Sequence, residues 1–314
     1  MQIFPNVYEI KSPFGDRYIQ QYLFVGETVV LLDCGVIGTP DAAIFPYMEG
    51  IGVSPRRLTL VVAMHADSDH HGGLPAIKDA SPSTLLACHE ADRALIENPE
   101  HLYRERYNFL ARDHGLGFGR EGMVYSPRPC KIDMTLRANE VLHIGPGWDL
   151  QVWHVPGHSE GHLAIYDRKN RAAFTSDAVQ AKGYPTISGG LAFGPTYYTV
   201  NSYLATIDFL EKQPIEHLFT GHWPSAHGES TARFLAQSRK FVEHADESIV
   251  DYLKHHPRGA TLQTLLHEIG PRLGDWPHDA GIFLQFALYG HVERLKQNGV
   301  IRTGSETPIV YCLT

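Results

Sequence analysis

Short runs of apolar and β-branched residues, separated by turn residues, open the chain. They lie at residues 7–10, 18–25 and 28–32. Runs of this kind predict three antiparallel strands at the edge of a sheet. Strand and helix patterns then alternate, and we predict a helix over 42–50, a strand over 58–64, a helix over 73–79, a strand over 83–88 and a helix over 89–96.

A second strand-rich segment begins near residue 132. Its predicted elements are a helix over 202–212 and strands over 140–144, 150–155, 162–166, 172–176 and 217–220. In both segments strands are followed by helices, and polar residues stand at the strand ends. We therefore predict an α/β fold in which two sheets pack face to face with helices outside, as one domain over residues 1–228.

From about residue 229 the pattern becomes helical. Apolar residues recur at helical spacing up to residue 253, followed by a helix over 261–266, a helix over 280–298 and a hairpin of 299–302 and 308–312. This order predicts a small winged-helix-like domain over 229–314. Residues 231–314 contain nine Lys+Arg and nine Asp+Glu, whereas a helix that reads DNA is basic. A packing or homodimer-forming role is therefore favoured over nucleic-acid binding.

The composition is that of an acidic globular protein. The formal net charge of −8 at pH 7 argues against nucleic acid as the main partner. Four cysteines are scattered without a close pair, so neither a disulfide framework nor a zinc knuckle is predicted. The first residues do not resemble a signal peptide, and no apolar run approaches the roughly 18 residues of a membrane span. We expect a cytoplasmic protein that does not contact membranes.

Residues 98–128 interrupt the alternation of strands and helices. They combine aromatic residues with arginines around a glycine-rich centre, Gly115-Leu116-Gly117-Phe118-Gly119. Two interpretations stay open: a lid over a pocket, or a surface excursion packed by its own aromatics. The basic residues of this insertion either bind an anionic group or form a solvated face; they are Arg104, Arg106, Arg112 and His114.

The densest group of candidate metal ligands directly follows the predicted strand 58–64. Five candidates occur within seven residues: His65, Asp67, Asp69, His70 and His71. Further candidates stand at later strand ends: His158, Asp177 and His222. Imidazoles and carboxylates in this mixture suit a pair of first-row divalent ions. We expect His71 to point away in a supporting or surface position, because a neighbour one position along faces elsewhere.

These residues resemble the signature of the metallo-β-lactamase-fold superfamily, in which His-x-His-x-Asp-His is followed by later His, Asp and His ligands. Leu32-Asp33-Cys34-Gly35 resembles the Asp-x-Gly that precedes this signature, and the resemblance covers roughly residues 17–225. The terminal helices and hairpin resemble the winged-helix appendage of the LACTB2-like branch. The resemblance implies an αββα sandwich and a hydrolytic enzyme.

The resemblance also implies a role for each ligand. A first metal would be held by His65, Asp67 and His158, a second by Asp69, His70 and His222, and Asp177 would bridge them. A hydroxide between the two metals would be the nucleophile. Asp69 would be the catalytic residue that orients it or moves its proton, and Asp33 would support a ligand from behind. Zn²⁺ is the first expectation for both ions, with Fe or Mn as alternatives.

Asp67 departs from the signature, which has histidine at that position. A carboxylate there makes the first site harder and less selective for zinc, and it resembles the Glu of flavodiiron proteins. Three outcomes follow from this substitution. The centre is an ordinary dizinc site, a diiron or dimanganese site, or one weak site beside a strong one.

Aromatic residues later in the chain are candidates for a substrate pocket: Tyr184, Phe193, Tyr197, Tyr198 and Trp223. An apolar pocket favours a small organic ester, lactone, thioester or amide over RNA, although the same residues could simply pack their loop. The alternatives are an endoribonuclease or phosphodiesterase of the winged-helix branch, a diiron redox enzyme, and a binding module without activity.

Overall fold

The computed structural model describes residues 1–119 and 128–314. Its first sheet has seven strands that lie side by side in chain order: β1 (Gln2–Phe4), β2 (Val7–Phe14), β3 (Arg17–Val25), β4 (Val29–Leu32), β5 (Leu60–Val62), β6 (Leu85–His89) and β7 (Met134–Leu136). Strands β1 to β4 are antiparallel, and β4 to β7 are parallel.

A second sheet of six strands faces the first. Its strands are β8 (Val141–Gly145), β9 (Trp148–His154), β10 (Leu163–Asp167), β11 (Ala172–Ser176), β14 (His217–Thr220) and β15 (Ala226–His227), in the order β15-β14-β11-β10-β9-β8. Two short hairpins stand apart from both sheets, formed by β12 (Tyr184–Pro185) with β13 (Leu191–Phe193), and by β16 (Ile301–Glu306) with β17 (Ile309–Leu313).

Ten α-helices occur in the described part of the chain: α1 (Phe45–Gly50), α2 (Ser68–His71), α3 (Leu74–Ala80), α4 (Glu90–Glu97), α5 (Pro99–Leu102), α6 (Ala111–His114), α7 (Val200–Glu211), α8 (Glu229–His255), α9 (Leu262–Leu273) and α10 (Gln285–Gln297). Short π-helical turns lie at Pro40–Ile44 and Tyr103–Tyr107, and 3-10 turns at Pro55–Arg57 and His278–Leu284. Among these residues, no helix combines the length and apolar composition needed to cross a bilayer.

Aromatic side chains fill the space between the sheets. Phe24 of β3 packs edge-on against Phe174 of β11, with ring centroids 5.0 Å apart, and Trp148 of β9 also contacts Phe24. All three side chains are buried. Burial of one such side chain stabilises the fold by about 1.5–3 kcal/mol. These contacts hold the two sheets together.

Helices cover the outer face of each sheet. Met48 of α1 and Ile77 of α3 pack on the first sheet, and Ile207 of α7 packs on the second. Helices α8 and α10 pack against α7 and extend the second layer. The predicted sandwich of two sheets between helices is confirmed, and a helical region follows it. The winged-helix assignment and the boundary at residue 228 stay predictions.

Several predicted elements differ in the structure. The helix predicted over 42–50 is a π-helical turn at Pro40–Ile44 followed by α1. The helix predicted over 280–298 is a 3-10 turn followed by α10, and Gly281 within the turn has low helix propensity. The helix predicted from residue 89 begins at Glu90, because the His89 ring caps it by accepting a hydrogen bond from the Ala91 backbone N–H. The insertion predicted over 98–128 contains α5, a π-helical turn and α6, and its residues 120–127 lie outside the described part.

Candidate metal centre

Side chains of the metal-ligand type gather where strands of both sheets end. Strands β5, β9, β11 and β14 all finish at the same edge of the sandwich, and the loops that follow them carry the candidates. The structure brings all seven predicted ligands together at this edge: His65, Asp67, Asp69, His70, His158, Asp177 and His222. They divide into two clusters with different hydrogen bonding.

The first cluster, which we call the Asp69 cluster, consists of Asp69, His70, Asp177 and His222. The Nε2 atoms of His70 and His222 are 3.1 Å apart. Oδ2 of Asp69 lies 3.7 Å from the Nε2 of His70 and 3.4 Å from that of His222. The nearest Asp177 oxygens lie at 3.7 and 3.4 Å from the same two nitrogens.

Hydrogen bonds on the far side of each ring orient both histidines of the Asp69 cluster. Nδ1 of His70 donates to Oδ2 of Asp33 at 2.8 Å, and Ser176 donates to the same oxygen at 2.7 Å. Nδ1 of His222 donates to the Tyr18 carbonyl oxygen at 2.8 Å. An imidazole that carries its proton on Nδ1 has a lone pair on Nε2. Support from a carboxylate or a carbonyl is usual for metal-binding histidines, so both rings are set to bind a metal.

The donor set of the Asp69 cluster fits one divalent ion. Tetrahedral Zn²⁺ binds N and O ligands at about 2.0–2.2 Å, which separates the ligand atoms by roughly 3.3–3.6 Å. The separations in the Asp69 cluster run from 3.1 to 3.7 Å. Oδ1 of Asp177 is buried and has no hydrogen-bond partner among the described residues. Two lone pairs and an unpartnered carboxylate oxygen at this spacing call for a cation between them.

The carboxylates of the Asp69 cluster also attract positive charge. Burial by itself would lower the pKa of His70, but the nearby charges of Asp177, Asp69 and Asp33 raise that pKa to about 10. Burial would raise the pKa of Asp69, whereas His70 and His222 lower it to about 2. A divalent ion in the Asp69 cluster would neutralise the negative charge of these carboxylates.

The second cluster, which we call the Asp67 cluster, consists of His65, Asp67, His158 and an arginine, Arg106. Nε and Nη2 of Arg106 donate to the two oxygens of Asp67 at 2.8 and 3.0 Å, and Nη1 donates to the His158 carbonyl oxygen at 2.6 Å. The guanidinium carbon lies 3.9 Å from the centre of the Tyr198 ring. Arg106 is only 5% exposed, so it is neither part of a solvated face nor free for an external anion.

The arginine dominates the electrostatics of the Asp67 cluster. Burial would raise the pKa of Asp67, but the Arg106 guanidinium and the His158 imidazole hold this pKa well below its ordinary value. His65 differs, because burial holds its pKa well below the usual range. Neither ring nitrogen of His65 has a hydrogen-bond partner among the described residues. The cluster therefore contains the closed Arg106–Asp67 ion pair and, in His65, a buried imidazole whose charged form is disfavoured.

Two more histidines lie behind the clusters. His71 points away, as expected, and its Nε2 donates to the Ala66 carbonyl oxygen at 3.1 Å. It is buried and not on the surface, and burial lowers its pKa to about 4. His162 is not among the predicted ligands; its ring stacks on His65 with centroids 4.5 Å apart, and its Nε2 donates to the Thr175 carbonyl oxygen. Its spacing of four residues from His158 is the only signal in the sequence.

A cavity of about 320 Å³ opens onto both clusters. Asp67, Asp69 and Asp177 line its inner end. Its walls are mainly aromatic, with Arg17, Ser68, Arg106 and Thr196 as the other wall residues; the aromatic ones are Phe14, Tyr103, Tyr107, Phe118, Tyr184, Phe193, Tyr198, Phe283 and Phe286. Strand β2, the insertion, the segment after Asp177 and the C-terminal helical region all contribute. No sequence pattern assigns Phe14, Phe283 or Phe286 to this cavity, because each lies far along the chain from the ligand motif.

Two of the five predicted substrate-binding residues lie outside the cavity. Tyr197 is completely buried, and its hydroxyl is hydrogen-bonded to Nε2 of His291 at 2.7 Å. Its expected contact with substrate is therefore corrected to a structural contact with α10. Trp223 backs the Tyr184 ring at 4.7 Å and donates to the Gly183 carbonyl oxygen, so it supports the wall without lining it. Tyr184, Phe193 and Tyr198 line the cavity.

Comparison with known proteins agrees with the sandwich fold. The chain is 26% identical over 197 residues to acyl-coenzyme A thioesterase MBLAC2 of Gallus gallus, and the match covers 60% of this chain and 61% of that protein. It is 24% identical over 162 residues to a hydroxyacylglutathione hydrolase of Cereibacter sphaeroides, which covers 52% and 49%. The matches thus span about three-fifths and one-half of the length of these relatives.

Fold similarity extends over the whole chain. A solved metallo-beta-lactamase family protein from Thermus thermophilus matches 100% of both chains with a TM-score of 0.76 at 18% identity, which shows a shared fold. The family model of the metallo-beta-lactamase superfamily matches residues 15–222, about two-thirds of the chain, and this range includes every candidate ligand. The chain therefore belongs to the metallo-beta-lactamase superfamily.

Proposed function

We propose that this protein is a metal-dependent hydrolase that cleaves a small organic ester, lactone, thioester or amide, with a thioester of an apolar acid favoured. One observation carries the proposal: the carboxylates of the Asp69 cluster open directly into a cavity with aromatic walls. Such a cavity holds the apolar part of a substrate by burial. The bond to be cleaved would then lie beside the metal ligands.

The Asp69 cluster would hold the metal, with Zn²⁺ as the first candidate and Fe or Mn as alternatives. When bound there, a divalent ion supplies Lewis acidity and lowers the pKa of water that it coordinates. Tyr184 donates a hydrogen bond to Oδ2 of Asp177 at 2.8 Å and so fixes the direction of that carboxylate. Asp69 lines the cavity as an ionised carboxylate, in a position to accept a hydrogen bond from water that enters with the substrate.

The names of two relatives support this choice. The Gallus gallus relative is named as an acyl-coenzyme A thioesterase, and the Cereibacter sphaeroides relative as a hydroxyacylglutathione hydrolase. Both names describe hydrolysis of a small organic substrate. The cavity of about 320 Å³ lies at the small end of the usual range for small-molecule sites, which favours a compact acyl group.

The alternatives receive less support from the cavity. A ribonuclease or phosphodiesterase needs free basic groups for phosphates. Among the described residues, two arginines line the cavity: Arg106 is bonded to Asp67, and Arg17 pairs with Asp16 and lies over the Phe193 ring. The diiron redox alternative depends on Asp67 as a metal ligand. Asp67 is poorly placed to bind iron, because both of its carboxylate oxygens accept hydrogen bonds from Arg106.

A substrate panel tests the proposal. Protein stripped with a chelator and reconstituted with Zn²⁺ is assayed with the acetyl and benzoyl thioesters of N-acetylcysteamine and with bis(p-nitrophenyl) phosphate. We expect metal-dependent thioester hydrolysis, with kcat/KM about tenfold higher for benzoyl than for acetyl, because the larger group buries more apolar area. His222→Ala should abolish it, whereas His255→Ala, at an exposed histidine of α8, should leave it unchanged.

Three results would contradict the proposal. Cleavage of the phosphodiester without cleavage of either thioester would indicate a phosphodiesterase. Purification with iron and a visible absorption band, without hydrolysis, would indicate redox chemistry. Thioester cleavage that persists after chelation and in the His222→Ala variant would show that the activity does not depend on a metal bound at the Asp69 cluster.

A further inference from the structure

The Asp67 cluster contains a positive charge that belongs to the protein. Arg106 binds Asp67 through a two-pronged fork, and both carboxylate oxygens accept a hydrogen bond. Its position is fixed from several directions, because the guanidinium stacks on Tyr198 and the Tyr198 hydroxyl in turn donates to the Arg106 carbonyl oxygen at 2.5 Å. An arginine held in this way is a permanent cation, since its proton is not lost in proteins.

The hydrogen bonding of His158 also differs from that of His70 and His222 in the Asp69 cluster. Oε1 of Gln180 accepts a hydrogen bond from the Thr196 backbone N–H at 2.8 Å, which fixes the orientation of the amide. The Gln180 NH₂ group therefore donates to Nδ1 of His158 at 2.9 Å. Nδ1 is thereby occupied, and the remaining ring nitrogen, Nε2, lies 2.9 Å from Oδ2 of Asp67 and 3.3 Å from Nη2 of Arg106. A metal could therefore reach His158 only by displacing Arg106 and Asp67 from its Nε2.

Of the three residues expected to bind a first metal, only His65 keeps an unused nitrogen. The ring of His162 stacks beside it; Nε2 of His162 donates to the Thr175 carbonyl oxygen, and its Nδ1 has no hydrogen-bond partner in the described part of the chain. Two imidazoles do not make a complete site, since protein zinc sites use three or four protein ligands. A divalent ion here would also lie next to the guanidinium, and like charges in a buried site repel strongly. The donor set of the Asp67 cluster does not fit a metal.

We propose that the Arg106 guanidinium takes the place of one metal ion, so that the centre binds a single divalent ion, at Asp69, His70, Asp177 and His222. Asp67 and His158 hold the arginine instead of a metal. This inference rests on the metal dependence of the proposed function but not on its substrate. It also gives the replacement of histidine by Asp67 a physical reason, because a carboxylate pairs with a guanidinium and an imidazole does not.

The number of bound ions tests the inference without an activity assay. Chelator-treated protein is titrated with Zn²⁺ by calorimetry, and the ions retained after gel filtration are counted by elemental analysis. We expect one Zn²⁺ per chain. Two ions per chain with dissociation constants within tenfold of each other would overturn the inference and leave the hydrolase proposal standing. Binding of no ion would overturn both.

Substitutions at the two aspartates identify the ligand. Asp69→Asn should weaken Zn²⁺ binding by about 100-fold, because it removes a ligand, whereas Asp67→Asn should change the affinity by less than about threefold. A loss at Asp67→Asn equal to that at Asp69→Asn would overturn the inference. Circular dichroism and the melting temperature confirm that each variant is folded, and the count for the unmodified protein decides the question if either is not.

A double variant restores the expected ligand set. Asp67→His with Arg106→Ala removes the guanidinium and supplies an imidazole, and we expect it to bind two Zn²⁺ ions. Arg112→Ala is the matched control, since Arg112 lies in the same insertion but is exposed and pairs with Asp113; it should bind one. Retention of only one ion by a folded double variant would contradict the claim that Arg106 is what excludes the second.

Discussion

Removing Arg106 should destabilise the protein far more than removing the same kind of ion pair from its surface. The insertion offers a matched pair for this comparison. Arg106 binds Asp67 through Nε and Nη2 at 2.8 and 3.0 Å, and Arg112 binds Asp113 through the same atoms at 2.8 and 2.9 Å. The two forks differ in burial: the first pair is 5% and 16% exposed, and the second is 88% and 45% exposed.

The expected magnitude follows from this burial. Arg106→Ala leaves the Asp67 carboxylate buried without its partner, which typically costs about 3–5 kcal/mol of unfolding free energy. Solvent screens this pair little, so no large reduction applies. Unfolding entropy of about 2.1 cal/mol/K per residue amounts to roughly 0.66 kcal/mol/K for 314 residues. The melting temperature should therefore fall by roughly 5–8 °C. Arg112→Ala should change the unfolding free energy by less than about 1 kcal/mol.

A double-mutant cycle isolates the interaction between Arg106 and Asp67. Unfolding in urea is followed for the unmodified protein, Arg106→Met, Asp67→Leu and the double variant. Each single change leaves one buried charge unpaired, whereas the double change removes both. The double variant should therefore be more stable than the sum of the single effects predicts, by about 3 kcal/mol. The reasoning would be refuted if each single variant lowered the unfolding free energy by less than about 1 kcal/mol and the two effects added. The Arg106–Asp67 ion pair would then contribute no more than a surface pair.

Three further variants test separate parts of the account. Phe286→Ala removes part of the cavity wall and should raise KM for the benzoyl thioester about tenfold with little change in kcat; an unchanged KM would place the substrate elsewhere. Tyr197→Phe removes the hydrogen bond to His291 and should lower the unfolding free energy by about 1–2 kcal/mol. A raised KM in this variant would instead indicate that Tyr197 contacts the substrate. Asp33→Asn should weaken Zn²⁺ binding about 10- to 100-fold in calorimetry, because the support for His70 is lost; unchanged affinity would show that this support is dispensable.

Sequence reasoning located the edge at which the candidate ligands meet because the signals are local. A strand-like run before His65 and polar residues at later strand ends suffice to predict which side chains meet, since the ends of parallel strands share one edge of a sheet. The same reasoning separated His71 from the ligands, because neighbouring residues point in different directions. The two-sheet architecture followed from alternating strand and helix patterns, which depend on burial and repeat over many residues.

The parts that sequence reasoning missed depend on contacts between distant or irregular segments. Arg106 and Asp67 are 39 residues apart, and the insertion has no periodicity that would aim its side chains. Tyr197 and Tyr198 are neighbours outside any strand or helix, so nothing in the sequence showed that Tyr198 faces the cavity and Tyr197 faces His291. The contribution of Phe286 requires the C-terminal helices to pack on the sandwich, which no local pattern reports.

Anomalous diffraction tests the central claim most directly. Crystals of the unmodified protein soaked in excess Zn²⁺ are measured on both sides of the zinc absorption edge. We predict a single anomalous peak, surrounded by Asp69, His70, Asp177 and His222, with the Arg106 guanidinium still bonded to Asp67. Two peaks of comparable height, the second bound by Asp67 and with Arg106 turned away, would contradict the claim.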